Sequence, residues 1–369
     1  MGGSMTALRW MGREAGVLVP LAAAAVLLGA GRDSLALSSN SISVFVLFAG
    51  LCAVVLCAAY AVAGHAEALA HRYGEPYGTL ILTLSAVAVE VLMVSAMMLH
   101  AGNNPTMARD TIFSTLMLII NGQIGLAVLL GGIRHGEQHY NLKSSNSYFS
   151  MILALTGLGL FLPIFVAPDG MDHLEIFLIF AFLGLYGIFL RLQIKEHRYF
   201  FAGESPGELA PAVHQHRKGR WGGIYHAGML LGAILAVAYL SEGLALVLDS
   251  AVERLGIQTG WASLVVAALI LSPEALTAIR AGLGNQMQRV VNISLGSALS
   301  TIGLTIPAVL LISLLSGRSV TLGLPPDDAV MLFFTLLVGM RSYSMGETNI
   351  LQGFIHFVLF VAFIVLIAI

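Results

Sequence analysis

Eleven stretches of mostly apolar residues, most of them about 20 long, run through this chain with short polar turns between them. They fall at 16–31, 42–63, 78–99, 111–130, 148–166, 174–192, 222–248, 261–282, 290–315, 329–343 and 351–369. A helix rises about 1.5 Å per residue, so about 20 residues cross the roughly 30 Å of hydrocarbon in a bilayer. Because lipid offers nothing to an unpaired N–H or C=O, such stretches must be helical. The chain therefore reads as an all-α polytopic membrane protein with 11 transmembrane helices. The first and tenth are short. The first also follows Arg9 and Arg13 and precedes small residues, as a cleaved signal peptide would; it is read here as a retained helix. Only 10% of residues are charged and 57% are apolar, which excludes a soluble enzyme. With 18 Lys and Arg against 20 Asp and Glu there is no basic field to hold nucleic acid. Cys52 and Cys57, inside one apolar run, read as packing thiols.

The positive charges orient the chain. With the N-terminus in the cytosol, only Arg32, Arg109, Arg254 and Arg318 of the 18 Lys and Arg fall outside, the asymmetry expected of a cytoplasmic membrane protein. An odd number of crossings then leaves the C-terminus outside. The long polar break at 193–221 reads as a cytoplasmic linker; its His197, His214 and His216 suit either a solvated loop or a pH- or metal-responsive cluster.

Two acidic residues stand apart from the rest. Glu90 is residue 13 of the 22 in its span and Glu274 residue 14 of 22, so both lie near the bilayer centre. An ionisable side chain there costs several kcal/mol unless it faces a partner or a polar cavity, which makes it a functional candidate. Their surroundings repeat. Glu67-Ala-Leu-Ala precedes the first and Glu242-Gly-Leu-Ala the second; Arg109 stands 12 residues before Asn121, and Arg289 stands 12 before Thr301. The domains so defined are an N-terminal segment with the first helix (1–41), a five-helix repeat (42–192), the linker (193–221) and a second five-helix repeat (222–369). Five crossings per repeat force the second to enter from the opposite side. The architecture is one peripheral helix plus two inverted five-helix repeats, an arrangement that secondary transporters use to bind substrate at the midplane.

At these residues the chain resembles the calcium/cation antiporter superfamily, within it the bacterial calcium (sodium, potassium)/proton antiporters. The likeness is carried by His65-Ala-Glu-Ala-Leu-Ala through Gly74-Glu-Pro-Tyr-Gly-Thr-Leu-Ile-Leu to Glu90, and by Leu269-Ile-Leu-Ser-Pro-Glu-Ala through Asn285-Gln and Gly296-Ser. The resemblance implies that Glu90 and Glu274 carry the cation and the protons. One departure bears on selectivity: calcium/proton exchangers write Gly-Asn-x-x-Glu, whereas this chain has Ala86-Val-Ala-Val-Glu90 and Ile270-Leu-Ser-Pro-Glu274, without the amide oxygens.

Calcium takes six to eight oxygens. Candidates beyond the carboxylates are Ser85, Ser95, Asn121 and Gln123 in the first repeat and Ser272, Ser297, Ser300 and Thr301 in the second, against the alternative that each bonds its own helix or a neighbour. Pro273 lacks an N–H and so releases the Leu269 carbonyl, which is either a ligand or the mark of a simple kink. Glu67 and Glu242 are either proton relays or interfacial anchors. The function expected is exchange of a cation, calcium and also sodium or potassium, for protons, with no cofactor and with inorganic cations, protons and membrane lipid as partners. The alternative is a sodium or potassium/proton antiporter carrying little calcium. A cation channel is the reading from another class, though no filter sequence is present, and neither a Gly-x-Gly-Asp nor a His-Glu-x-x-His motif points to an intramembrane enzyme.

Overall fold

The computed structural model describes residues 14–30, 41–74, 77–100, 105–196, 220–255 and 258–369. The linker histidines His197, His214 and His216 lie outside them. Helix α1 spans Ala15–Ala30, α2 Ser41–Tyr73 and α3 Tyr77–His100. The next crossing is composite: α4 (Met107–Met117), a π-helical segment (Leu118–Gln123) and α5 (Ile124–His135). A short strand β1 (Gln138–His139) leads to α6 (Leu142–Thr156), which continues through a π turn into the 3-10 segment Leu162–Phe165; α7 is Met171–Arg191. The second half repeats the order with α8 (Arg220–Leu255), α9 (Thr259–Leu283) and a second composite crossing of α10 (Met287–Ser300), a π segment (Thr301–Thr305) and α11 (Ile306–Ser316). Helix α12 (Pro326–Tyr343), strand β2 (Glu347–Thr348) and α13 (Ile350–Ala368) complete the chain.

All eleven expected helices are present. Among the described residues nine are long and apolar enough to cross a membrane on their own; α1 is shorter, and α12 carries Asp327, Asp328 and Arg341. Helix α12 nevertheless crosses. Just before it Leu324 N–H donates to Leu160 O, at the far end of the α6 crossing. Just after it β2 pairs antiparallel with β1, which precedes α6, so the ends of α12 meet the two opposite ends of one crossing. Its 18 residues rise about 27 Å, at the short end of the roughly 17–25 residues that span a bilayer.

The same loop contacts test the count of crossings. β1 follows four crossings and β2 follows ten, while Thr321 N–H donates to Pro105 O, joining the loops after the ninth and third. His65 and His226 touch, near the end of the second crossing and the start of the seventh. Each contact joins segments that eleven crossings place on one side.

Capping is likewise duplicated. The Asn141 side chain accepts from the N–H groups of Lys143 (2.9 Å) and Ser144 (3.2 Å) to open α6, and Asn349 accepts from Leu351 (3.1 Å) and Gln352 (3.3 Å) to open α13. Gly136, at φ +78°, ends α5 in a conformation that side chains resist.

The chain divides into two compact units, Met1–Asn104 with Val213–Ala262, and Pro105–Ala212 with Ser263–Ile369. Each draws helices from both halves of the sequence. In the first, α8 lies against α1, α2 and α3. In the second, α13 packs along α5 and the first π segment, and α10 packs against that same segment and α6. Glycines bring α5 and α13 close: a methyl at Gly125, Gly132 or Gly353 would meet backbone at Phe357, Ile350 or Leu129. The two composite crossings are the most enclosed, 72% and 67% buried against 50% or less for the other spans. Cys52 is half-buried and Cys57 exposed, so neither is the packed interior thiol that the sequence suggested.

A cysteine in place of His139 and one in place of Asp327, each in a background lacking Cys52 and Cys57, should be labelled by a membrane-impermeant maleimide from opposite faces, His139 from the cytosol. Labelling of both from one side would overturn the crossing count.

Candidate functional site

Each central glutamate sits well inside its helix. Glu90, on α3 in the first unit, is 5% exposed. Residues one turn away on its face are Ala86, Val87, Met93 and Val94, none with a side-chain oxygen. Ser85 and Ser95 are also buried, but five residues from Glu90 each is turned about 140° away from it.

Glu274, on α9 in the second unit, accepts a hydrogen bond from the Ser297 side chain of α10. Its Oε2 is shut away from solvent with no hydrogen-bond partner among the described residues. Ser272, two residues earlier, lies about 160° around the helix and returns its hydroxyl to its own backbone, on Ala268 O and, at 3.4 Å, on Leu269 O. The Leu269 carbonyl released by Pro273 is thus met locally. α9 runs through Pro273 as one helix.

The two π segments hold part of the buried polar residues of the composite crossings. A π turn bonds i to i+5, fits poorly into an α-helix and recurs at functional positions. Asn121 and Gln123 lie in the first, and Thr301 and Thr305 in the second, which follows directly on Ser300. Their engagements differ. Asn121 Nδ2 donates to Thr335 Oγ1 of α12 (2.7 Å), and its Oδ1 is 3.0 Å from Nδ1 of His356 on α13, whose Nε2 is 3.2 Å from Ser342 Oγ. With Nδ1–H donating to the amide oxygen, His356 accepts the Ser342 hydroxyl at Nε2. Asn121 is therefore committed to bracing α12 and α13. Gln123 is only half committed: Nε2 donates to Ser294 Oγ (2.7 Å), while Oε1 is buried with no partner among the described residues. Ser294 and Ser297 stand three residues apart on one face of α10. One turn of α10 thus links Gln123 to Glu274, and each offers a buried oxygen to which no described residue donates. Thr115 and Thr305 carry further buried hydroxyls with no partner among the described residues. Ser300 bonds the Ser297 carbonyl (2.9 Å), and Thr301 is buried.

Leaving a buried acceptor unanswered costs about 1–3 kcal/mol. Two acceptors around one helix turn, one a carboxylate oxygen, form a cradle for a proton or a hard cation. Glu67, on α2 in the first unit, has a side chain that is 56% exposed and lies 3.8 Å from His71. Glu242, on α8 in the first unit, is half-buried. Sequence reasoning missed His356, Ser294, Thr115 and Thr305. His356 was findable, as a histidine within an otherwise apolar 19-residue helix.

The sodium/calcium exchanger protein family matches residues 42–195 and 225–369. The chain belongs to that family. It is 36% identical to the ionic transporter named y4hA of Sinorhizobium fredii over 90% of both chains, and 32% identical to the sodium-potassium/proton antiporter ChaA of Escherichia coli over 99% of both. The solved structure of the Ca2+/H+ antiporter protein YfkE shares the fold at 18% identity, with a TM-score of 0.72 over 95% of this chain and 98% of that one. This chain is a multi-pass helical membrane protein.

If the cradle around α10 holds cargo, Glu274→Gln should reduce exchange to the background of empty vesicles while the protein still inserts. Gln123→Met, which removes the unanswered oxygen and keeps the volume, should raise the half-saturating cation concentration about tenfold, ~1.4 kcal/mol. Asn121→Leu should instead lower thermal stability and leave that concentration unchanged. Wild-type cation affinity in Gln123→Met would remove Gln123 from the site.

Proposed function

We propose that this chain is an antiporter of the bacterial cytoplasmic membrane, with its N-terminus in the cytosol and its C-terminus outside, that exchanges calcium, and also sodium or potassium, for protons through Glu90 and Glu274. The observation that carries the reading is the pair of buried, unanswered oxygens, Glu274 Oε2 and Gln123 Oε1, on either side of one turn of α10. In the second unit Ser297 and Gln123 supply neutral oxygens on either side of that turn, and Glu90 is the central carboxylate of the first unit.

Coupling follows from cost. A carboxylate carrying neither proton nor cation is expensive within hydrocarbon, so the site changes its exposure only when loaded with one or the other. Proton and cation compete for the same oxygens, and each leaves on the side where the other is abundant. The inverted repeats provide the two symmetry-related conformations that alternating access requires.

A second reading, sodium or potassium for protons with little calcium, has its own support. The faces of α3 and α9 that bear the glutamates are apolar one turn before each, at Ala86 and Val87 and at Ile270 and Leu271, where an asparagine would add an amide oxygen. Few neutral oxygens penalise an ion that wants six to eight. The name of the Escherichia coli relative points the same way. Two negative charges still draw a divalent ion more strongly than a monovalent one, so calcium is kept as cargo.

Inside-out vesicles with an imposed pH gradient should release protons on addition of calcium, and also of sodium or potassium, with activity rising from neutral pH to about two units above it as the cation displaces protons. Response to monovalent ions alone would establish the second reading. Absence of cation-dependent proton efflux for all three would overturn both.

A further inference from the structure

Glu14, His65 and His226 form a buried chain at one end of the first compact unit, and cation binding makes no use of it. His65, from the motif before Glu67 on α2, is 9% exposed, and Glu14, just ahead of α1, is 6% exposed. His65 Nε2 lies 3.3 Å from Glu14 Oε2, and His65 Nδ1 lies 3.0 Å from Nδ1 of His226 on α8. The ring centroids of the two histidines are 5.2 Å apart, longer than the nitrogen separation by two ring radii. The nitrogens therefore point almost straight at each other, as in a hydrogen bond, whereas two ligands of one metal would converge on a point beside the line joining them.

Proton counting limits what this chain of contacts tolerates. With Glu14 ionised, His65 Nε2–H donates to the carboxylate and His226 Nδ1–H donates to the bare Nδ1 of His65; the opposite tautomer of His65 would face a lone pair toward the carboxylate. One added proton is accommodated, because a single imidazolium still donates across the Nδ1 pair to a neutral partner. A second makes both imidazoles cationic and sets two N–H groups head to head at 3.0 Å. Other ionisable groups lie nearby among the described residues. Tyr225 of α8 meets His65 edge-on at 6.3 Å, and the Arg72 side chain and Tyr73 hydroxyl of α2 lie against Gly223 of α8. Glu67 pairs with His71 in solvent. On α3, Tyr77 is exposed and Glu90 is about 20 Å further along the helix. His226 is half-buried.

We propose that Glu14, His65 and His226 are a proton-operated latch that holds α1 and α8 to α2 while no more than one imidazolium is present, and that its opening in acid slows exchange. The inference rests on the antiport reading and adds regulation to it. By the charge asymmetry the latch faces the cytosol, the side that receives the protons of exchange, so opening there is a negative feedback. Helix α8 also packs on α3, which carries Glu90, so the latch acts on the helix pair that walls one central carboxylate.

The test uses His226→Asn, which keeps a polar side chain that does not titrate. In inside-out vesicles, wild-type exchange should fall as the outer medium is acidified, and the variant's acid limb should move down by one pH unit or more while its alkaline activity is kept. A second readout needs no transport. A Cβ at Gly16 of α1 would lie 3.4 Å from Ala61 Cβ of α2, close to disulfide geometry. Gly16→Cys with Ala61→Cys, in a chain without Cys52 and Cys57, should crosslink readily at pH 8; at pH 5.5 it should crosslink several-fold more slowly than the same pair carrying His226→Asn, and once crosslinked the protein should lose its acid limb. Equal crosslinking rates with and without His226→Asn at pH 5.5, or an unmoved acid limb, would overturn the latch. Loss of all cation-dependent exchange in the wild type, with crosslinking still sensitive to His226, would instead overturn the antiport reading alone.

Discussion

A polar group inside a bilayer has to be answered by the protein itself, and the irregular features of this chain stand where an answer is at hand or where one is deliberately withheld. Backbone groups are answered by helices throughout the spans. Where the helices depart from regular α geometry deep in the protein, at Leu118–Gln123 and Thr301–Thr305, side chains with oxygen and nitrogen accompany the departure. Asn121 there is answered twice, by Thr335 and His356, and so fixes α12 and α13 around the first π segment. Gln123, two residues on, is answered once. Its spare oxygen and that of Glu274 are among the buried side-chain atoms that no described residue answers, together with the hydroxyls of Thr115 and Thr305, and an unanswered polar atom in hydrocarbon is costly.

This arrangement also separates stiffness from function. The glycine contacts between α5 and α13, the paired strands β1 and β2 and the asparagine caps at Asn141 and Asn349 hold one end of the second unit rigidly. Buried within it, α10 presents Ser294 to Gln123 and Ser297 to Glu274, so a single turn joins the first composite crossing to α9. The first unit is built differently, from long helices joined at one end through titratable side chains, and it carries the other central carboxylate.

Much of this was legible in the sequence because the bilayer sets lengths. Spans of about 20 apolar residues gave the eleven helices, and even the short tenth one crosses, as its flanking loops show. Glu90 and Glu274 stood out because charge at the midplane is expensive. The π segments were not legible, since no residue pattern separates an i+5 turn from an i+4 turn; Asn121-Gly122-Gln123 inside an apolar helix was the nearest signal. Nor could the sequence rank the candidate oxygens. Ser272 sits two residues from Glu274, yet its rotation on the helix sends it back to Ala268, whereas Ser297, 23 residues away, reaches the carboxylate. The meeting of Glu14, His65 and His226 joins positions more than 200 residues apart and depends on the packing of three helix ends.

The central claim is that protons and cation occupy the same carboxylates in turn. It is tested most directly by adding cation to the purified protein in weakly buffered solution at pH 8 and measuring protons released. The account predicts release that saturates with cation binding, falls in Glu90→Gln and in Glu274→Gln, and vanishes when both are replaced. Saturable cation binding to the wild-type protein with no proton release would contradict it.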